Sequence, residues 1–291
     1  MKIIESPREG MQGIDRLIPT ADKVRYLNAV LKAGFDTVET GSIVSPRVVP
    51  QMADSLEVLN RLDLSGTRSN IMFLALNRKG ADILAEAGAV THISYPFSFS
   101  PTFLEHNVRS TVDDVFRTTE YIVNLCARSG KTPVIYISYA YGNPYGDPWS
   151  PELLASWVEK LVNAGVRTIP LSNVSTEISA EVIADTYGML IPAFPDVEFG
   201  LHLHTASHDW FAKLEAAWEQ GVRRFDAVID GHGGCPMSGK EMLGNLMTQN
   251  LRSFLAKKEI ADGVDEGAFR DAVKIAGEIF NPLLTFQFNN I

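Results

Sequence analysis

The chain has 291 residues, a formal charge of −9 at pH 7, two cysteines and 45% apolar residues. This composition excludes long disorder, and the acidic balance argues against a general nucleic-acid binder, which needs a basic surface to neutralise phosphates. Cys126 and Cys235 are too few for a disulfide scaffold, so a reducing compartment is expected.

The chain opens Met1-Lys2-Ile3-Ile4-Glu5, a strand pattern with no basic and apolar leader ahead of it. No apolar run approaches the roughly 20 residues that span a bilayer. A cytoplasmic protein with no membrane partner is the expectation. Short β-branched runs then alternate with helical patterns. The predicted strands are 3–5, 37–39, 71–74, 92–94, 134–138, 168–171, 198–204 and 225–228. The predicted helices are 21–33, 50–61, 78–87, 112–129, 151–164, 177–189, 208–220, 241–256 and 265–280. In the first, Val24, Leu27, Val30 and Leu31 share a face and Gly34 supplies a stop. Ser150 and Pro151 make an N-cap and first-turn pair for the helix at 151–164.

Eight strand-helix units predict an α/β fold, a parallel (β/α)8 TIM barrel over residues 1–258, with a helical tail over 259–291 packing back on it. A doubly wound open sheet is the alternative. Pro170 is the awkward residue, because proline removes a ladder donor from the sixth strand.

Four groups carry chemistry. His202-Leu203-His204 places two imidazoles on one face of a strand, as a metal ligand pair or as hydrogen-bonded core histidines. Arg8-Glu9-Gly10, with Gln12, follows the first strand. Glu9 offers a hard cation an oxygen and Arg8 offers an anion clamp, or the two form a surface ion pair in a turn opened by Pro7. Gly231-His232-Gly233-Gly234-Cys235-Pro236 is a flexible loop carrying a thiol, either acid–base or buried and inert. Asn245, ten positions beyond Cys235, adds an amide oxygen. Glu39 ends the second strand and is expected to orient an arginine or the metal shell, or to be a solvated charge. Asn143-Pro144-Tyr145-Gly146-Asp147 reads first as a turn and second as a substrate loop. Oxygen and imidazole donors suit Mg2+ or Mn2+, with Zn2+ the third choice.

These segments resemble the 3-hydroxy-3-methylglutaryl-CoA lyase family of metal-dependent barrels, related to isopropylmalate and homocitrate synthases. The resemblance rests on 5–12, on 39–47 with 49–54, on His202-Leu203-His204, on Gly233-Gly234-Cys235-Pro236 and on Gly244-Asn245. It implies that Glu9, His202, His204 and Asn245 bind a divalent cation. It implies that Arg8 holds the thioester carbonyl and the enolate, and that Cys235 works with His202 in proton transfer. Gln12, Glu39, Arg47 and Asn173 are then expected around the substrate, with Arg47 a candidate for the CoA phosphates. The implied reaction is retro-Claisen cleavage of 3-hydroxy-3-methylglutaryl-CoA, or a close 3-hydroxyacyl-CoA, to acetyl-CoA and a keto acid such as acetoacetate, by a homodimer. An aldolase or condensing acyltransferase on another 3-hydroxy acid, or a binding protein on a degenerate barrel, are the alternatives. Two positions depart from the family. Glu9 stands where it usually has Asp, and Asn173, in Leu171-Ser172-Asn173-Val174, stands where it has the Asp of an Asp-Thr pair.

Overall fold

The computed structural model describes residues 1–14, 16–173, 178–205, 209–233 and 244–280. Eight strands are present: β1 (Lys2–Glu5), β2 (Thr37–Ile43), β3 (Asn70–Ala75), β4 (His92–Phe97), β5 (Thr132–Ser138), β6 (Thr168–Ser172), β7 (Glu198–His202) and β8 (Arg224–Ala227). They pair in sequence order, all parallel, and β8 returns to β1 through Lys2↔Arg224 to Glu5↔Ala227. The sheet is therefore the closed barrel expected, not an open doubly wound one. Pro170 sits inside β6 opposite Gly200. The β5 ladder with β6 begins only at Leu171, one residue past the missing donor.

The helices are α1 (Pro7–Gln12), α2 (Thr20–Ala33), α3 (Ser55–Asn60), α4 (Arg78–Glu86), α5 (Pro101–Val108), α6 (Val112–Ser129), α7 (Pro151–Asn163), α8 (Ala180–Ala193), α9 (Trp210–Glu219), α10 (Thr248–Lys257) and α11 (Glu266–Phe280). Ser150 caps α7 as its sequence indicates, accepting from Leu153 N, and Gly34 ends α2 in the left-handed region at φ 78°. Four expectations need correction. The helix expected at 50–61 is a 3-10 turn, Pro50–Met52, followed by α3. The segment after β1 is a helix with Pro7 at its first position, not a turn, and Arg8 in it is buried. The helix expected from 241 begins at Thr248. The seventh strand ends at His202, and His204 instead bridges Asn245 antiparallel. Helix α5 has no counterpart among the predicted elements.

A large apolar core fills the space between barrel and helices, and a small one inside the barrel holds Ile4, Met72 and Val134 with Tyr136 against them. These come from β1, β3 and β5, the alternate-strand layering that a TIM barrel uses. At β7 the same inner wall carries Gly200, and the Arg224 side chain takes the room, since a Cβ on Gly200 would lie 2.9 Å from Arg224 Cδ. Above this floor the inward residues turn polar, and the site is built there. Among the described residues no helix is long and apolar enough to cross a membrane.

Candidate active site

A cleft opens at the C-terminal ends of the strands. Arg8, Glu9 and Gln12 from α1 line it with Glu39, Tyr136, Ser138, Ser172, His202 and His204, and Phe103 and Asn107 of α5 form one wall. A (β/α)8 barrel presents its variable loops and strand ends on this face.

Helix α1 splits the work of two adjacent residues. Arg8 turns toward β2, where its Nε and Nη2 donate to Glu39 Oε2 at 2.9 and 2.6 Å, and its Nη1 donates to Gln12 Oε1 at 3.2 Å, one helical turn on. Ser94 Oγ donates to the other Glu39 oxygen at 3.1 Å. Glu39 thus orients the arginine, the first of its two expected roles. Glu9 turns toward β7. Its carboxylate oxygens lie 3.4 Å from His202 Nε2 and 3.8 Å from His204 Nε2. The two imidazoles stand with ring centres 5.0 Å apart.

Glu9, His202 and His204 each offer a donor atom within 4.8 Å of the others. Neighbouring ligands on an ion with bonds of about 2.1 Å stand roughly 3 Å apart, so this trio needs little closure to hold one. The protonation states fit as well. Burial pushes His204 down to about 4, helped by the charge of His202, so the ring is neutral and able to ligate. Its Nδ1 is buried with no hydrogen-bond partner among the described residues. Burial opposes the charging of His202 too, but Glu9 and Asp226 overcome it and raise the ring to about 10. Burial likewise works against Glu9, and His202 and Arg8 outweigh it, holding the carboxyl far below the ordinary range. Without an ion, His202 is therefore the positive partner of Glu9. A divalent cation would take its place.

Asn245 is buried, and its Nδ2 donates to His232 O at 2.9 Å. That bond commits the NH2 end, so the oxygen is the end available to an ion. Asn173 is buried against His204, its Nδ2 donating to His204 O at 2.7 Å while His204 N donates to its Oδ1 at 3.0 Å. Arg47 is exposed beyond β2 and does not line the cleft. Cys235 lies outside the described residues, as do Gly234 and Pro236 of its loop.

Among the residues of this site that escaped the sequence reading are Asp226 and Tyr136. Asp226 Oδ2 sits 3.1 Å from His202 Nδ1, where a carboxylate fixes the ring and its tautomer and aims Nε2 at the cleft. Tyr136 meets the His202 ring edge-on with centres 5.6 Å apart, and burial with the nearby Asp226 charge holds its hydroxyl protonated. The signal was alternation: Arg224 and Asp226, two residues apart on one strand face, are charges aimed into a barrel.

The HMGL-like family model matches residues 1–275. The chain is 29% identical to the (R)-citramalyl-CoA lyase of Chloroflexus aurantiacus over 90% of its length and 85% of that protein. It is 30% identical to the mitochondrial hydroxymethylglutaryl-CoA lyase of Bos taurus over 91% of its length and 81% of that protein. The crystal structure of hydroxymethylglutaryl-CoA lyase from Pseudomonas aeruginosa superposes with a TM-score of 0.88 at 27% identity, covering 96% of this chain and 93% of that one. By sequence and by fold, this chain is a carbon–carbon lyase of the HMGL-like family.

Proposed function

We propose that the protein is a divalent-metal-dependent lyase that cleaves a 3-hydroxy-3-methyl acyl-CoA thioester to acetyl-CoA and an oxo acid. Hydroxymethylglutaryl-CoA, giving acetoacetate, is the leading substrate. The observation that carries the reading is the convergence of Glu9, His202 and His204 on one point beside Arg8 at the barrel mouth.

Glu9, His202, His204 and Asn245 would hold the cation, with Mg2+ or Mn2+ favoured by the oxygen donors. When bound, such a cation would supply Lewis-acid charge that eases loss of the substrate's hydroxyl proton. The residues of the chain do the rest. Arg8, clamped by Glu39, presents a fixed positive charge to the thioester oxygen, where negative charge grows as the carbon–carbon bond breaks. Asp226 holds the His202 ring so that its orientation survives proton movement nearby. The hydroxyl proton would pass to the Cys235–His202 pair, and Cys235 would return a proton to the enolate carbon from its glycine-rich loop. Arg47, on the rim, would meet the CoA phosphates.

A second substrate has its own support. The (R)-citramalyl-CoA lyase relative acts on a shorter thioester, whose cleavage leaves pyruvate in place of acetoacetate. The test is a comparison of kcat/KM for acetyl-CoA release from the two thioesters with Mg2+ or Mn2+. A preference for either, abolished in His202→Ala and Cys235→Ala, supports the lyase. Release from neither, in a protein that binds metal, would turn the reading to a condensing enzyme.

A further inference from the structure

Helix α11, the last among the described residues, reaches the backbone that carries Glu9. Its last residue, Phe280, stacks on the His232 ring with centres 4.3 Å apart and planes inclined by 22°. It meets Tyr26 of α2 edge-on at 5.7 Å. The turn is tied down on both sides. Arg16 Nη2 donates to Ile279 O at 2.8 Å, and Arg25 Nη1 donates to Glu278 Oε2 at 2.7 Å. Among the described residues, the buried Nε2 end of the His232 ring makes no hydrogen bond, and Asp230 Oδ2 stands off at 4.0 Å.

From this stack, two routes lead to ligand residues. The carbonyl of His232 accepts from Asn245 Nδ2 at 2.9 Å, and Gly231 O, one residue back, accepts from Asn245 N at 3.2 Å. On the other side lies Gly10, which follows Glu9. A Cβ there would lie 3.5 Å from Phe280 Cζ and 3.7 Å from His232 Cβ, so the stack rests on the backbone that carries Glu9. Gly233, at φ 82°, comes so close that a Cβ on it would lie 2.4 Å from Glu9 O. Residues 231–233 thus lie between the backbone of Glu9 and Asn245, and Phe280 packs on them through His232.

We propose that Phe280 is a positioning residue of the metal centre, acting through His232 to set the separation of Glu9 and Asn245. The proposal rests on the reading of those two residues as metal ligands. It assigns the last turn of α11 to the site rather than to a passive tail. An aromatic ring at 232 is required, and an imidazole is not.

The test uses the full chain and titrates Mn2+, reading free ion by electron paramagnetic resonance, so that no substrate enters the result. Phe280→Ala and His232→Ala are expected to weaken Mn2+ binding about 10- to 100-fold, the usual range for groups that orient metal ligands. His232→Phe and Phe280→Tyr keep the stack and are expected to bind as the parent does. Thermal melting in chelator checks that each variant is folded, and the His232 pair decides the matter where Phe280→Ala does not fold. Parent-like Mn2+ affinity in folded His232→Ala, or loss in His232→Phe equal to that in His232→Ala, overturns the proposal. A parent protein that binds no Mn2+ overturns instead the metal reading beneath it.

Discussion

The side-chain amide of Asn173 pairs with the main chain of His204 as a neighbouring strand would, donating to its carbonyl at 2.7 Å and accepting from its N–H at 3.0 Å. β7 has ended two residues earlier, so this pair extends the register of β6 and β7 past their last ladder bond. An aspartate could accept from the N–H but would face the carbonyl with a second acceptor. Asn173→Asp is expected to weaken Mn2+ binding about 10-fold or more, by loosening His204, and Asn173→Ala to lower stability by ~1–3 kcal/mol as the buried N–H and carbonyl lose partners. Titration and denaturant unfolding check both. Unchanged Mn2+ affinity in Asn173→Asp would show that the pair does not steady the ligand.

Metal binding should release a proton. His202 is held charged up to about 10 by Glu9 and Asp226 against the cost of burial, and an ion at its Nε2 needs the neutral ring. Below that value each bound ion displaces one proton, so affinity rises with pH, about tenfold per unit between pH 6.5 and 9. Calorimetry in buffers of different ionisation enthalpy reads the proton directly. A pH-independent affinity in that range would mean that His202 is already neutral or is not a ligand.

Much of this was legible in the chain itself. The eight strands follow from β-branched runs between helical periods, and His202 and His204 from period-two spacing in one of them. Arg8 was harder to place, because a short segment opened by proline reads as a turn. Only the closed barrel shows that β2 brings Glu39 alongside to bury it. Asn173 looked like an aspartate that had lost its charge, since its task is set by the main chain of a residue 31 positions away. Arg224 and Asp226 went unread because charges in a strand suggest an exposed edge, and a barrel has none.

Glu5 gives the fold a pH dependence of its own. Burial pushes its carboxyl up to about 8, although Thr248 Oγ1 and Ile229 N both donate to it. The folded state therefore prefers the protonated acid. Its stabilising share is complete below the unfolded value near 4.5 and is lost as pH rises through 8. Glu5→Gln keeps both partners and carries no charge. It should be more stable than the parent at pH 8 by at least ~1 kcal/mol, since one pKa unit corresponds to about 1.4 kcal/mol, and close to it at pH 5. Equal denaturant midpoints at pH 8 would contradict this.

The clamp on Arg8 allows the proposed chemistry to be tested apart from metal binding. Glu39 bonds Arg8 and Ser94, and it is not among the three clustered metal donors. Glu39→Gln is expected to lower kcat about 100-fold, the scale of a misplaced group that stabilises an oxyanion, while weakening Mn2+ binding less than Glu9→Gln does. Steady-state kinetics and the same titration separate the two. An unchanged kcat would remove Arg8 from the role assigned to it.

The central claim is that Glu9, His202 and His204 hold the ion on which carbon–carbon cleavage depends. Its most direct test measures acetyl-CoA release from hydroxymethylglutaryl-CoA and from citramalyl-CoA by chelator-stripped protein, before and after Mg2+ or Mn2+ is restored. The predicted result is no release from the stripped protein and recovery with either ion, abolished in His204→Ala. Release at the same rate with and without chelator would contradict the account.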